Sequence, residues 1–253
     1  MRDVAPHGHT SKIEQASRRC YCRRTREGEG GQMSDIHLPE VIPPVPSVPC
    51  EGDALRALTL GDMAGLALAL PKEGVENARS PLRKPAFATL TEEGGPAVRT
   101  VFLRGMDAGS RRLTAFTDAR SCKVAELERD PRAALLFYDP LSDIQVRLTG
   151  RSAIHRTGEL VGRAWESAAP SSRRAYLVMA PPGSPSAAPV SGLPEDVEGI
   201  IPPLERLEEG RLNFALLEFI FEEADVVVLS RTGHRRARIR FSADAARGAW
   251  LVP

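Results

Sequence analysis

Two periodicities divide the chain. Between Asp53 and Leu70 the apolar residues Leu55, Leu58, Met63, Leu66, Leu68 and Leu70 recur at helical intervals. That spacing predicts one or two amphipathic helices, interrupted near Gly61 and stopped by Pro71. Beyond Pro85 short apolar runs alternate with turn residues, which predicts strands over 86–90, 98–104, 112–117, 133–138, 144–153, 214–222 and 225–231. Glu93-Gly-Gly-Pro96 supplies a turn between the first two, and the short spacings suit an antiparallel barrel that closes its own edges. The predicted class is therefore mainly β with flanking helices. Helices are predicted at 121–129, where Val124 and Leu127 face inward and Asp130-Pro131 ends the element, at 158–168, and between 203 and 211. Residues 180–203, rich in Pro and Gly, read as a long loop of the kind that often carries function.

The beginning of the chain follows neither period. Residues 1–32 are rich in Arg, Gly and polar residues around Ser17-Arg-Arg-Cys-Tyr-Cys-Arg-Arg24, and are expected to be disordered; Met33 begins a more protein-like stretch. Val41-Ile-Pro-Pro-Val-Pro-Ser-Val-Pro49 reads as an extended connector. The expected organisation is a disordered or Pro-rich extension over 1–50 and one domain over 51–253.

Composition narrows the function classes. With 34 Lys and Arg against 33 Asp and Glu, no global field favours nucleic acid or an anionic membrane, so any basic site is a local arrangement. No stretch approaches the roughly 20 apolar residues of a membrane span, and no apolar signal core stands at the N-terminus, which points to the cytoplasm. Cys20, Cys22, Cys50 and Cys122 are too scattered for a disulfide scaffold, and Cys20-Tyr-Cys22 lacks a second ligand pair for zinc, so no metal is expected.

Local clusters carry the chemistry. Arg99, Ser121 and Lys123 offer a guanidinium fork, a hydroxyl and a point charge beside the exposed amides of a helix start, which together suit a phosphate. Any one of them alone would ordinarily be a solvated surface charge. Gln145 interrupts an apolar strand, so its amide either faces water or enters a pocket where it must find donor and acceptor partners; periodicity leaves both open. The basic run Gly233-His-Arg-Arg-Ala-Arg-Ile-Arg240 lacks interleaved aromatic residues and fits a second anion-contacting segment as well as it fits nucleic acid.

Arg99-Thr-Val-Phe-Leu-Arg104, Phe116-Thr-Asp-Ala-Arg-Ser-Cys-Lys123, Asp130-Pro131, Phe137-Tyr138, Gln145-Val-Arg-Leu-Thr-Gly150 and Arg238-Ile-Arg-Phe with Trp250-Leu-Val-Pro253 resemble, in that order, the pyridoxamine 5′-phosphate oxidase family. The similarity runs from about Pro85 to the C-terminus. Ala180-Pro-Pro-Gly-Ser-Pro185 looks more like the branch of uncharacterised FMN-binding proteins than the authentic vitamin B6 enzyme. The resemblance implies an FMN-binding split β-barrel that forms a homodimer, with FMN at the subunit interface. By position, Arg99 and Lys123 would hold the FMN phosphate with Ser121 and Thr117, and Thr100, Val101, Phe102, Leu103 and Arg104 would line the cofactor along one strand. Phe116 and Cys122 complete this set, Gln145 would meet the isoalloxazine, and Arg238 would approach from the neighbouring subunit. Arg99 and Arg104 are an odd number apart and face opposite sides of an ideal strand, which requires a bulge or separate roles.

Departures from the family pattern concentrate on the substrate. Cys122 stands where the oxidase usually has Arg, no Trp lies near Val228, Ala168 occupies an expected Arg position, and the Arg-x-His substrate pair falls in reversed order at His234 and Arg236. His234, Arg236 and Arg104 are the substrate-contact candidates. The implied function is an FMN-dependent oxidoreductase of a small-molecule substrate, an amine or alcohol giving hydride to FMN and dioxygen reoxidising it. The alternatives are a non-catalytic flavin or tetrapyrrole binding or sensing protein, and a flavin reductase, although no Gly-rich dinucleotide fingerprint is present.

Overall fold

The longest apolar run becomes the spine of the sheet. In the computed structural model, which describes residues 33–242 and 245–253, Phe214–Val228 is a single strand, β8, where two had been predicted. One edge of β8 pairs along its length with β7 (Ile144–His155); the other pairs with β5 (Arg112–Asp118) near its start and β9 (Arg235–Phe241) near its end. The apparent break has a physical cause. Gly150 faces Phe221 and Thr149 faces Glu223, so Glu222 is bulged out and the core-facing positions change from Leu217, Phe219 and Phe221 to Ala224, Val226 and Val228. Gly150 is required opposite this bulge, because a Cβ there would lie 2.0 Å from the Ile220 carbonyl oxygen.

Around the spine stand β6 (Arg132–Asp139), β2 (Ala86–Leu90) and β3 (Pro96–Thr100) on the β7 side, and β10 (Ala246–Leu251) and β1 (Ser34–Ile36) beyond β9. β4 (Leu103–Asp107) pairs with β5 alone. Every pairing is antiparallel, and the sheet is open between β3 and β1. The strand predicted over 98–104 is thus two strands turning a corner at Val101, whose N–H donates to the Pro85 carbonyl. Arg99 and Arg104 lie on different strands, and β4 is bulged between Leu103 and Gly105, so their odd spacing needs no common face.

Six helices flank the sheet among the described residues: α1 (Gly52–Ala57), α2 (Leu60–Glu76), α3 (Cys122–Arg129), α4 (Glu159–Ser167), α5 (Pro170–Arg174) and α6 (Leu204–Glu208). α2 begins at a capping box, Thr59 with Asp62, and continues through Pro71, where it was expected to stop. Met63 to Pro71 are buried under the sheet, and that burial outweighs the roughly 3 kcal/mol a helix-interior proline costs. Residues 33–50, which include the 41–49 stretch expected as a connector, join the same unit as the residues that follow: Ser34–Ile36 pairs with β10, and Pro39 and Pro43 rest against Gly65. Residues 180–203 form the expected loop without helix or strand. The expectations for residues 1–32, including Cys20 and Cys22, lie outside the described residues.

Candidate functional site

The turn from β5 into α3 builds a small polar cradle. Thr117 ends the strand and Ser121 precedes the helix; their hydroxyls are 3.3 Å apart, and Lys123 Nζ donates to them at 3.1 and 3.0 Å. Ser121 does not cap α3, because its hydroxyl donates to the Asp118 carbonyl at 2.8 Å. Burial pushes the Lys123 ammonium below the usual lysine range, and the neighbouring Arg99 charge pushes it the same way. Among the described residues no carboxylate stands within ion-pair distance of Lys123.

Arg99 reaches the cradle from β3. It is directly opposite Phe87, so it projects to the core side of the sheet, where Nη2 meets Glu126 of α3 at 2.9 Å and Nη1 meets the Thr89 hydroxyl. Thr89 also donates to Glu126 at 2.5 Å. Glu126 was not anticipated from sequence, although it lies three residues beyond Lys123 and therefore on the same helix face. The cradle thus holds two cations against one part-buried carboxylate.

The corner after β3 separates the other expected cofactor residues. Val101 and Leu103 are buried in the core and present only backbone, Phe102 is exposed, and Cys122 sits outside beside Gly183. Arg104 turns to the opposite side of β5 from Thr117. Its guanidinium lies 5.0 Å from the Phe116 ring centre and 5.8 Å from that of Phe102, and Nη2 donates to Ser172 of α5 at 3.2 Å. Its Nε is buried without a partner, and burial and the Arg83 charge lower its affinity for a proton. Phe116 and the buried Tyr176, whose phenol burial raises well above the ordinary range, pack with Phe214 and Trp165 behind it.

The remaining expected residues are elsewhere. Gln145 sits between Tyr138 and Val227, a row whose side chains project to the same face as Thr100 and away from Arg99. Arg236 and Arg238 share that face. Between them and Arg147 is Asp225, which accepts from Arg236 at 2.9 and 2.8 Å and from Arg147 at 2.8 Å. Burial of Asp225 opposes its charge, but the Arg236 bonds and the charges of Arg236, Arg147 and Arg238 prevail and hold its carboxyl below the usual range. His234 is exposed, and its Nδ1 accepts the Ser230 N–H at 3.1 Å, so the turn already uses that atom. One chain therefore brings Arg99, Thr117, Ser121 and Lys123 together and leaves Gln145, Arg236 and Arg238 on the other face.

Among the described residues no helix is long and apolar enough to cross a membrane, and no cluster of three His, Cys, Asp or Glu residues could hold a metal.

Comparison with known proteins gives the setting. Residues 68–156 match the family model described as pyridoxamine 5′-phosphate oxidase, FMN-binding domain, a span that contains every cradle residue and Gln145 but neither Ser172 nor Arg236. The chain is 38% identical over 82 residues to the pyridoxine/pyridoxamine 5′-phosphate oxidase of Pseudomonas syringae pv. tomato, covering 32% of this chain and 37% of that protein. It is 34% identical over 150 residues to the enzyme of the same name from Rubrobacter xylanophilus, covering 58% and 59%. It thus spans between about a third and three fifths of these relatives. Among solved structures, a pyridoxamine 5′-phosphate oxidase-related FMN-binding protein of Nostoc punctiforme superposes with TM-score 0.56 at 20% identity, over 78% of this chain and 99% of the other. PhzG of Burkholderia lata, in complex with tetrahydrophenazine-1-carboxylic acid, gives 0.55 at 18%, over 82% and 100%; at such identity both likenesses concern the fold. The resemblance read from the motifs stands, and the cofactor is FMN.

Proposed function

Starting from residues 68–156 as an FMN-binding domain of the pyridoxamine 5′-phosphate oxidase type, we propose that the chain is an FMN-dependent oxidoreductase of a small-molecule substrate. The observation that carries the reading is Lys123: a part-buried ammonium bonded to two hydroxyls and to no carboxylate, beside a Glu126 already paired with Arg99, leaves the cradle one positive charge in excess, which an incoming phosphate would balance. The fit is chemical as well as electrostatic, since Thr117 and Ser121 can turn their hydroxyl protons to phosphate oxygens and the first amides of α3 point the same way. In this reading Arg99, Lys123, Ser121 and Thr117 hold the phosphate, and Thr100 to Phe102 run beneath the cofactor with Val101 contributing backbone. Bound FMN supplies hydride acceptance; the chain's part is to hold it, shield it from water and orient the substrate. Arg104, stacked on Phe102 and Phe116 beside the Ser172 hydroxyl, is the residue placed to receive an anionic substrate group.

A second copy completes the site in this proposal. Gln145, Arg236 and Arg238 cannot meet the cradle of their own chain, because they project from the other face of the sheet. That face also exposes Val98, Leu136 and Tyr138, an apolar strip beside the Arg147–Asp225–Arg236 group, as a buried contact between copies would need. Closure of the open sheet into a split barrel and a cytoplasmic site of action belong to the same reading.

Purified protein should be yellow, sediment as a dimer, release FMN on denaturation, and be bleached without oxygen by an amine, an alcohol or reduced nicotinamide. A colourless protein that takes up no added FMN overturns the reading. One observation favours a binding or sensing role instead: His234 and Arg236, the expected substrate pair, are engaged by the Ser230 turn and by Asp225. Flavin that none of those donors reduces would decide for it.

A further inference from the structure

Asp118, Ala119 and Arg120 form the turn between Thr117 and Ser121, and Arg120 is committed on both sides. Its backbone N–H and Nε donate to Asp118 Oδ1 at 2.8 and 3.0 Å, and Nη2 donates to Oδ2 at 2.7 Å, with Asp118 itself buried. The outer edge of the same guanidinium donates to the Val178 carbonyl at 2.9 Å and the Met179 carbonyl at 3.2 Å. These carbonyls are the root of the 180–191 loop, whose neck is closed by the Met179 N–H donating to the Gly192 carbonyl at 2.9 Å.

The loop passes beside the start of α3, next to the cradle. Pro181, Pro182, Pro185 and Pro189 stiffen it, Gly183 adopts a left-handed turn at φ 94°, and a Cβ at Gly183 would come 3.9 Å from Cys122 Sγ, between Ser121 and Lys123 in the chain. A hollow of about 590 Å³ lies within it, walled by Met179, Pro181, Pro189 and Val190. Packing is therefore thin across the middle of the loop, and the neck bond and the two Arg120 bonds tie its root.

We propose that Arg120 is a positioning residue that latches the 180–191 loop over the phosphate cradle, so that this loop sets how fast FMN leaves. The inference rests on the FMN reading for what occupies the cradle. The hydrogen bonds of the Arg120 side chain go to Asp118 and to the loop root, so in this proposal it acts through the loop.

Arg120→Met and Arg120→Lys, made in the full chain and loaded with FMN, test it. Release is followed by the return of free-flavin fluorescence after dilution, and cleavage within 180–191 by limited proteolysis with and without FMN. Arg120→Met should release FMN at least about tenfold faster, the loss of about 1.4 kcal/mol. Its loop should be cut faster, bound FMN should protect the loop in the original protein but not in the variant, and Arg120→Lys should fall between. Faster cleavage with unchanged release, or unchanged cleavage, overturns the proposal. If Arg120→Met does not fold, the double change Pro181→Gly with Pro182→Gly loosens the loop alone: faster release is expected, and unchanged release overturns the latch. An unmodified protein that binds no FMN sinks the cofactor reading instead, an outcome seen before any variant is compared.

Discussion

Replacing Lys123 by Met separates a binding role from a structural one, because the two predict opposite signs. Without ligand, the Lys123 ammonium is held below its ordinary pKa by burial and by Arg99, so its charge is a burden on the fold, and an isosteric apolar side chain relieves it. In the proposed phosphate-binding role, the same ammonium would make a charge-assisted contact to FMN worth about 1.5–3 kcal/mol, a roughly 10- to 150-fold change in Kd. Lys123→Met should therefore keep or raise the Tm of the FMN-free protein while weakening FMN by that factor. Riboflavin, which lacks the phosphate, should bind both proteins alike. The assays are thermal unfolding of FMN-free protein and titration by quenching of flavin fluorescence. An FMN Kd within about threefold of the original, or an equal loss of riboflavin, would refute the reasoning.

FMN affinity should fall as pH rises from neutrality toward 10.5, as the depressed Lys123 loses its proton. Over that window the unfolded chain binds more protons at this position than the folded one, so Lys123 makes FMN-free stability rise with pH; denaturant midpoints taken across the range check the sign. Asp225→Asn should destabilise by about 3 kcal/mol, the lower end for a broken buried pair, since Arg147 is half exposed to water. Because the Asp225 carboxyl sits below its ordinary value, its contribution is present above the usual carboxylate range and lost as pH falls through the lowered one, which urea unfolding should show as acid sensitivity missing from Asp225→Asn. Gly150→Ala should cost about 3 kcal/mol or more, because its Cβ meets backbone that cannot turn aside; an unchanged Tm would mean the β7–β8 bulge is not as described.

Sequence periodicity read the apolar runs correctly and their breaks less well. It split Phe214–Val228 in two because the bulge at Glu222 shifts the inward positions from odd to even, which an alternation rule reads as an end. It joined 98–104 because apolar residues continue through Val101 and Leu103, while the chain turns a corner there between two partners. It ended α2 at Pro71 because proline is costly in an isolated helix, and only the burial of that segment against the sheet reverses the balance.

The site divided in the same way. Thr117, Ser121 and Lys123 lie within a few residues of one another, so a strand-to-helix turn is enough to converge them, and local sequence determined that cluster. Glu126, the Asp118–Arg120 link to Val178 and Met179, and Asp225 beneath three arginines depend on which strands become neighbours and which face each residue takes. Those partnerships join residues 27, 58 and 11 positions apart, beyond the reach of local rules. Separation of the cradle from Gln145 and Arg238 was likewise decided by the sheet, whose strict alternation sends residues of one motif to opposite faces.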